Sequence, residues 1–159
     1  MPDNTAILIR QATITDVETI ARYNTAMALE TEGVSLDQHR IKQGVHAVIT
    51  DSSKGFYAVA DIESRVIGQM MVTFEWSDWR NGIFWWIQSV YVIPQYRQLS
   101  VLTKLHEHVR SQARKNPSVC GLRLYVEEDN KIAQKAYKSL NMMESTYKIY
   151  ENDFVIKRS

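Results

Sequence analysis

Between Trp85 and Leu105 the chain reads WWIQSVYVIPQYRQLSVLTKL, an apolar run that passes through a short polar turn into a periodic segment. Val90, Val92 and their neighbours are β-branched or aromatic and the run is bounded by Pro94, so it reads as a strand. Proline has no N–H to give to a ladder, and pairing should end there. Beyond it Val101, Leu105, Val109 and Ala113 recur every four residues, which predicts a helix beginning near Gln98 to Ser100. Strand, tight turn and helix in that order point to an α/β layer architecture. A helix N-terminus leaves backbone N–H groups unpaired and carries partial positive charge, so with Arg97 beside it this turn is a candidate phosphate site.

The rest of the chain supplies the other layers. Ala6 to Ala12 alternates as a short first strand, and the spacing of Thr15 and Glu18 predicts a capped helix reaching about Glu30, ended by Gly33. Ser35 and Gln38 repeat that spacing ahead of a second apolar stripe at Ile41, Val45 and Val48 or Ile49. After the turn cluster Asp51 to Gly55, strands are expected over Phe56–Ala60 and Val66–Trp76, then a hairpin loop with Asn81-Gly82, then the strand Ile83–Ile93. The helix that follows is broken at Lys115 to Ser118; Leu122 to Val126 alternates as a strand, Asp129-Asn130 can cap a further helix, and Met142 to Tyr150 reads as a last strand. No repeat, linker or low-complexity tract divides residues 1–159, so one α/β domain with a mixed sheet is expected.

Composition narrows the function. With 19 basic and 18 acidic residues the net charge is +1, which argues against a broad nucleic-acid footprint and favours a small ligand. A single cysteine, Cys120, forms no internal disulfide, and no Cys/His spacing suggests a metal, which fits a reducing cytoplasm. No apolar run approaches the roughly 20 residues that span a bilayer, and the N-terminus has no signal-peptide pattern, so no membrane partner is expected.

The segment VYVIPQYRQLSVLTKL, together with Asn130-Lys-Ile-Ala133-Gln-Lys-Ala-Tyr137, resembles the GNAT superfamily of acyl-CoA-dependent N-acyltransferases over nearly the whole chain. The resemblance implies a GNAT-like fold: a central, mostly antiparallel sheet with helices on both faces and a splayed central strand. It implies acetyl-CoA as cosubstrate and direct transfer of an acetyl group to the primary amine of a small-molecule or amino-acid-like acceptor. The family's Q/R-x-x-G-x-G/A turn cradles the CoA pyrophosphate; it begins here at Arg97, with Ser100 and Leu102 where glycines are usual. Serine keeps its N–H and costs little if the backbone is already helical, whereas the bulkier Leu102 presses on the pyrophosphate, lines the ligand's flank or packs as core.

Carried over residue by residue, the resemblance places the acyl arm along Val90, Tyr91 and Val92 and the pyrophosphate against Arg97, Gln98, Leu99, Ser100, Val101 and Leu102. Asn130 and Ala133 complete the cofactor set, and Tyr137 matches the family tyrosine that protonates the departing thiolate. Some members carry an acidic residue on the central strand; Gln88 stands at the matching position and can only orient the amine or a water. Glu30 and Glu32, at the end of the first helix, are candidates to attract a cationic acceptor, and Trp86 offers an indole face. Core or dimer packing is the commoner fate of Trp76, Trp79, Trp85 and Trp86, so a homodimer is admitted. The rival reading is an acyl-CoA-binding or sensor domain in which Ser100, Leu102 and Gln88 mark weakened transfer.

Overall fold

The computed structural model describes residues 6–98 and 100–157. Five strands form one sheet in sequential order: β1 (Leu8–Gln11), β2 (Phe56–Ile62), β3 (Arg65–Ser77), β4 (Gly82–Val92) and β5 (Val119–Arg123). The first three pairings are antiparallel and β4 with β5 is parallel. The antiparallel pairs need only short loops: β2 returns as β3 through Glu63 and Ser64, both in the left-handed region at φ 49 and 67. The parallel pair needs a crossover, and the helix after β4 provides it. Among the described residues the α-helices are α1 (Val17–Glu32), α2 (Gln38–Thr50), α3 (Val101–Lys115) and α4 (Lys131–Ser139).

Two neighbouring residues of β3 show how the layers are arranged. Gln69 donates from Nε2 to Asn24 Oδ1 on α1, while Gly68 lies against Val101 on α3. Consecutive strand residues point to opposite faces, so α1 and α3 cover opposite sides of the sheet. Helix α2 lies beside α1, with a Lys42–Glu18 ion pair of 3.0 Å between them. The core between the layers is apolar and close-packed, with Ile20, Ile67, Met70, Ile87 and Leu105 fully buried. On β1, Arg10 is bound by Asp16 at 2.8 Å and Asp61 at 3.0 Å, which fixes the sheet's short outer strand to its neighbour and to the turn before α1.

Four local expectations are corrected. The caps lie two residues away from those predicted: Thr13 donates its N–H to Asp16 Oδ2 before α1, and Asp37 Oδ1 accepts the Arg40 N–H at 2.8 Å to start α2. Thr15/Glu18 and Ser35/Gln38 have the spacing of a capping box, but the box before α1 is made by Thr13 and Asp16, whose carboxylate accepts the Thr13 N–H, and before α2 it is Asp37 that reaches a helix N–H, that of Arg40. Strand β5 runs over Val119–Arg123 rather than Leu122–Val126, because it can pair only until β4 turns away from it. No strand forms over Met142–Tyr150, where alternation exists without a partner. Ser100 is not in a right-handed helical conformation; it sits at φ 63, ψ 17, so glycine's tolerance of positive φ is what this position calls for.

Candidate active site

The site begins with a register fault in β4. Met71 pairs with Gln88 and Gln69 with Tyr91, so the single residue Met70 faces both Ser89 and Val90. This is a β-bulge, and Ser89 adopts φ 50 to accommodate it. The bulge is pinned from beneath. Gln69 Nε2 donates to the Ser89 carbonyl at 3.1 Å as well as to Asn24, and Asn24 Nδ2 donates to the Tyr57 hydroxyl at 3.2 Å. All three side chains are buried, and burial pushes the Tyr57 phenol pKa up. Asn24, Gln69 and Tyr57 were not singled out in the sequence; the available signal was a polar residue amid an apolar run, as Gln69 is in VIGQMMV.

A bent strand cannot stay paired on both sides. Pairing of β4 with β5 stops at Trp86 opposite Arg123, whereas pairing with β3 continues to Val92 opposite Gly68. From Ile87 to Val92 one edge of β4 is therefore without a strand partner among the described residues, and the sheet opens there. Val90, Tyr91 and Val92 line this opening with backbone, and their side chains are committed elsewhere: Val90 and Val92 pack on the core and Tyr91 meets the Tyr23 ring at 5.3 Å. Gln88 donates from Nε2 to Thr73 Oγ1 at 2.6 Å, which holds its amide in the plane of the neighbouring strand.

Below the opening the chain turns into α3. Gln98 and Ser100 both have positive φ, at 68 and 63; Leu99 lies outside the described residues. Ser100 offers no side-chain cap, and the first turn of α3 carries no acidic residue. Its free N–H groups and dipole are thus left uncompensated, an arrangement that fits an anion such as a pyrophosphate. Val101 is fully buried against Gly68, where a Cβ would come within 3.0 Å of its Cγ1. Leu102 is half-buried and packs on the core.

Arg97 and Glu30, assigned to different ligands from the sequence, are brought together. Both guanidinium Nη atoms bond the two Glu30 carboxylate oxygens at 2.8 Å, and Nε donates to the Val92 carbonyl at 2.8 Å. The paired guanidinium holds the Glu30 carboxyl below its usual pKa and raises that of Arg97. Both side chains are well exposed, so the pair is worth about 0–1 kcal/mol and can open to a phosphate at little cost. Glu32 is the exposed last residue of α1.

Beyond β5, Asn130 caps α4 by accepting the Ala133 N–H at 3.1 Å, so the Asn130–Ala133 spacing is in the first place a helix start. Tyr137, two turns on, is half-buried, and burial pushes its pKa up to about 12. Trp86 stands at the parting point with its ring 5.9 Å from Tyr125. By register Trp86, Gln88, Glu75 and Arg123 share the sheet face that α1 covers further along. Arg123 bonds Glu75 at 2.6 Å and lies 3.7 Å over the Phe84 ring, a pair that sequence reasoning missed because its members are 48 residues apart. Two surface clefts of about 450 and 540 Å³ lie elsewhere, one along α3 at Lys104 and Glu107 and one around Arg10 and Arg65. Among the described residues no cluster of His, Cys, Asp and Glu could hold a metal, and no helix is long and apolar enough to cross a membrane.

The comparisons with known proteins agree with this geometry. A possible acetyltransferase from Clostridium difficile 630 superposes with a TM-score of 0.87 at 43% identity, over 94% of this chain and 99% of that one. A predicted acetyltransferase with acetyl-CoA from Clostridium acetobutylicum has a TM-score of 0.76 at 12% identity, covering 92% and 96% of the two chains. Glucosamine-6-phosphate N-acetyltransferase from Arabidopsis thaliana has a TM-score of 0.69 at 17% identity, covering 92% and 98%. The last two likenesses concern the fold. No curated protein matches the chain. The profile of the acetyltransferase (GNAT) family matches residues 19–142, and with the mixed sheet opened at β4 the chain belongs to that family.

Proposed function

We propose that the protein is an N-acetyltransferase that moves an acetyl group from acetyl-CoA directly to the primary amine of a small-molecule or amino-acid-like acceptor. The observation that carries this reading is the unpaired edge of β4 between Ile87 and Val92, which leads straight into an uncapped helix N-terminus. Acetyl-CoA supplies the thioester-activated acetyl group when bound. The chain's own residues do the rest. Backbone groups of Val90 to Val92 align the acyl arm as a strand would, and a preorganised N–H there can stabilise charge developing on the carbonyl oxygen. The turn at Arg97, Gln98, Leu99 and Ser100, with the first N–H groups of Val101 and Leu102, holds the pyrophosphate. Asn130 and Ala133 set α4 in place, and Tyr137 holds a proton at its phenol oxygen for the departing sulfur. Gln88 orients the amine or a water that takes its proton. Trp86, with Tyr125 beside it, offers aromatic faces to a cationic acceptor, and Glu30 and Glu32 add negative charge at the end of α1.

The second reading, an acyl-CoA-binding or sensor domain, is favoured by Gln88, whose amide has no basic nitrogen. One pair of measurements decides. Amine-dependent thiol release from acetyl-CoA, across a panel of primary amines, is expected for the enzyme. Calorimetric heat with acetyl-CoA but no release for any amine would favour the binding domain, and no heat at high ligand concentration would sink both.

A further inference from the structure

We propose that the cleft between the start of α1 and the β2–β3 hairpin binds a phosphate group, either free or borne on a small organic molecule. The cleft has a volume of about 540 Å³ and lies at β1, β2 and the first residues of β3, whereas the open edge of β4 faces the other way, toward β5. Thr19 and Arg22, three residues apart, stand on one face of α1 and form one wall. Ser64 and Arg65 meet them from the hairpin, where Ser64 holds φ 67.

Charge in the cleft is unevenly spent. Arg10, Arg22 and Arg65 stand against Asp16 and Asp61, which leaves one positive charge in excess. Both carboxylates are buried and both are taken by one arginine, Arg10, at 2.8 Å from Asp16 and 3.0 Å from Asp61. Arg22 and Arg65 form no ion pair among the described residues. They nevertheless converge. Burial raises the pKa of the Tyr23 phenol, and the charges of Arg22 and Arg65 both act against it, so the two guanidiniums approach one hydroxyl. Like charges drawn to one point repel, and an anion between them removes the cost. Tyr23 is not that anion, because its O–H is donated to the Val66 carbonyl at 2.6 Å. The other polar groups are donors too: the hydroxyls of Thr19 and Ser64 line the same space and make no hydrogen bond among the described residues. Guanidinium and hydroxyl donors, with the neighbouring carboxylates already occupied, select a ligand made of acceptors. A tetrahedral oxyanion fits, since planar guanidiniums bind phosphate oxygens in pairs. The cleft also has the size of an ordinary small-ligand site, on the order of 300–1,000 Å³, which leaves room beside one phosphate for an organic group.

Calorimetric titration of the full chain with inorganic phosphate and with glycerol 3-phosphate tests this, at an ionic strength held constant with sodium chloride. Saturable heat is expected, and Arg22→Gln and Arg65→Gln are each expected to raise the dissociation constant about fivefold or more. Tighter binding of glycerol 3-phosphate than of inorganic phosphate would assign the anion to a small organic ligand; the opposite order would make free phosphate the occupant. Both arginines are exposed, so the substitutions leave the core untouched. Hydrogen exchange on the unmodified chain gives an independent reading, with phosphate expected to slow the hairpin amides at 63–66. No saturable heat with either compound, an affinity unchanged in either variant, or exchange slowed only elsewhere in the chain would each overturn the proposal.

Discussion

Tyr137 owes its chemistry to burial. A phenol held up to about 12 stays protonated at neutral pH, which suits a donor to a leaving thiolate and disqualifies it as a base. Replacing Tyr137 by Phe is expected to lower kcat by about 10²- to 10⁴-fold while acetyl-CoA affinity, read by calorimetry, stays nearly unchanged. Unchanged turnover would remove it from the acid role. At this scale the sequence was informative wherever a residue type is tied to its neighbours along the chain, as with Asn130, which caps α4 through the Ala133 N–H. It was silent where partners lie far apart: Arg97 with Glu30 and Arg123 with Glu75 are separated by 67 and 48 residues, and nothing local announces either pair.

Among the elements, α3 depends on its entry. Ser100 holds φ 63, where an L-residue is disfavoured by about 1–2 kcal/mol, while glycine there would lose more backbone freedom on folding, about 0.5–1 kcal/mol. Ser100→Gly is therefore expected to stabilise the fold by up to about 1 kcal/mol in denaturant titration, with acetyl-CoA affinity kept or improved; a loss of stability would show that the Ser100 side chain matters more than its backbone. Elements with strong periodicity were legible in advance, α3 most of all, because a four-residue repeat of apolar residues has one structural reading. Where β5 ends was not, since its end is dictated by the bulge in β4 and not by its own residues. Met142–Tyr150 failed for the same reason in reverse: the pattern is a strand's, but the pattern does not supply the edge.

For the molecule as a whole, the buried His106 sets a dependence on pH. It is 2% exposed with Nε2 unpartnered among the described residues, and burial, with Arg110 adding to it, lowers its pKa below the ordinary 6.5. The unfolded chain then binds a proton that the folded chain refuses, so stability is complete above pH 6.5 and is lost as pH falls from there through the depressed folded value. The slope reaches at most about 1.4 kcal/mol per pH unit. Thermal melts between pH 7.5 and 5 should show the fall, and His106→Leu should flatten it; an unchanged profile would mean that other groups carry it. The order of layers was legible because each connection between neighbouring strands is a short hairpin or a run of strongly periodic helix, two helices between β1 and β2 and one between β4 and β5. The fault in β4 was not, and its reach is wide. Up to Gln88 the even-numbered side chains of β4 share the face of α1, and from Tyr91 the odd-numbered ones do. Ser89 thus inverts the parity of the strand in mid-course, so that one chain position decides which way every later residue of β4 points, as far as Val92. Deleting that residue would leave composition and charge almost untouched and roll Val90 to Val92 over by half a repeat, which makes it a mechanical origin from which the rest of the site is measured.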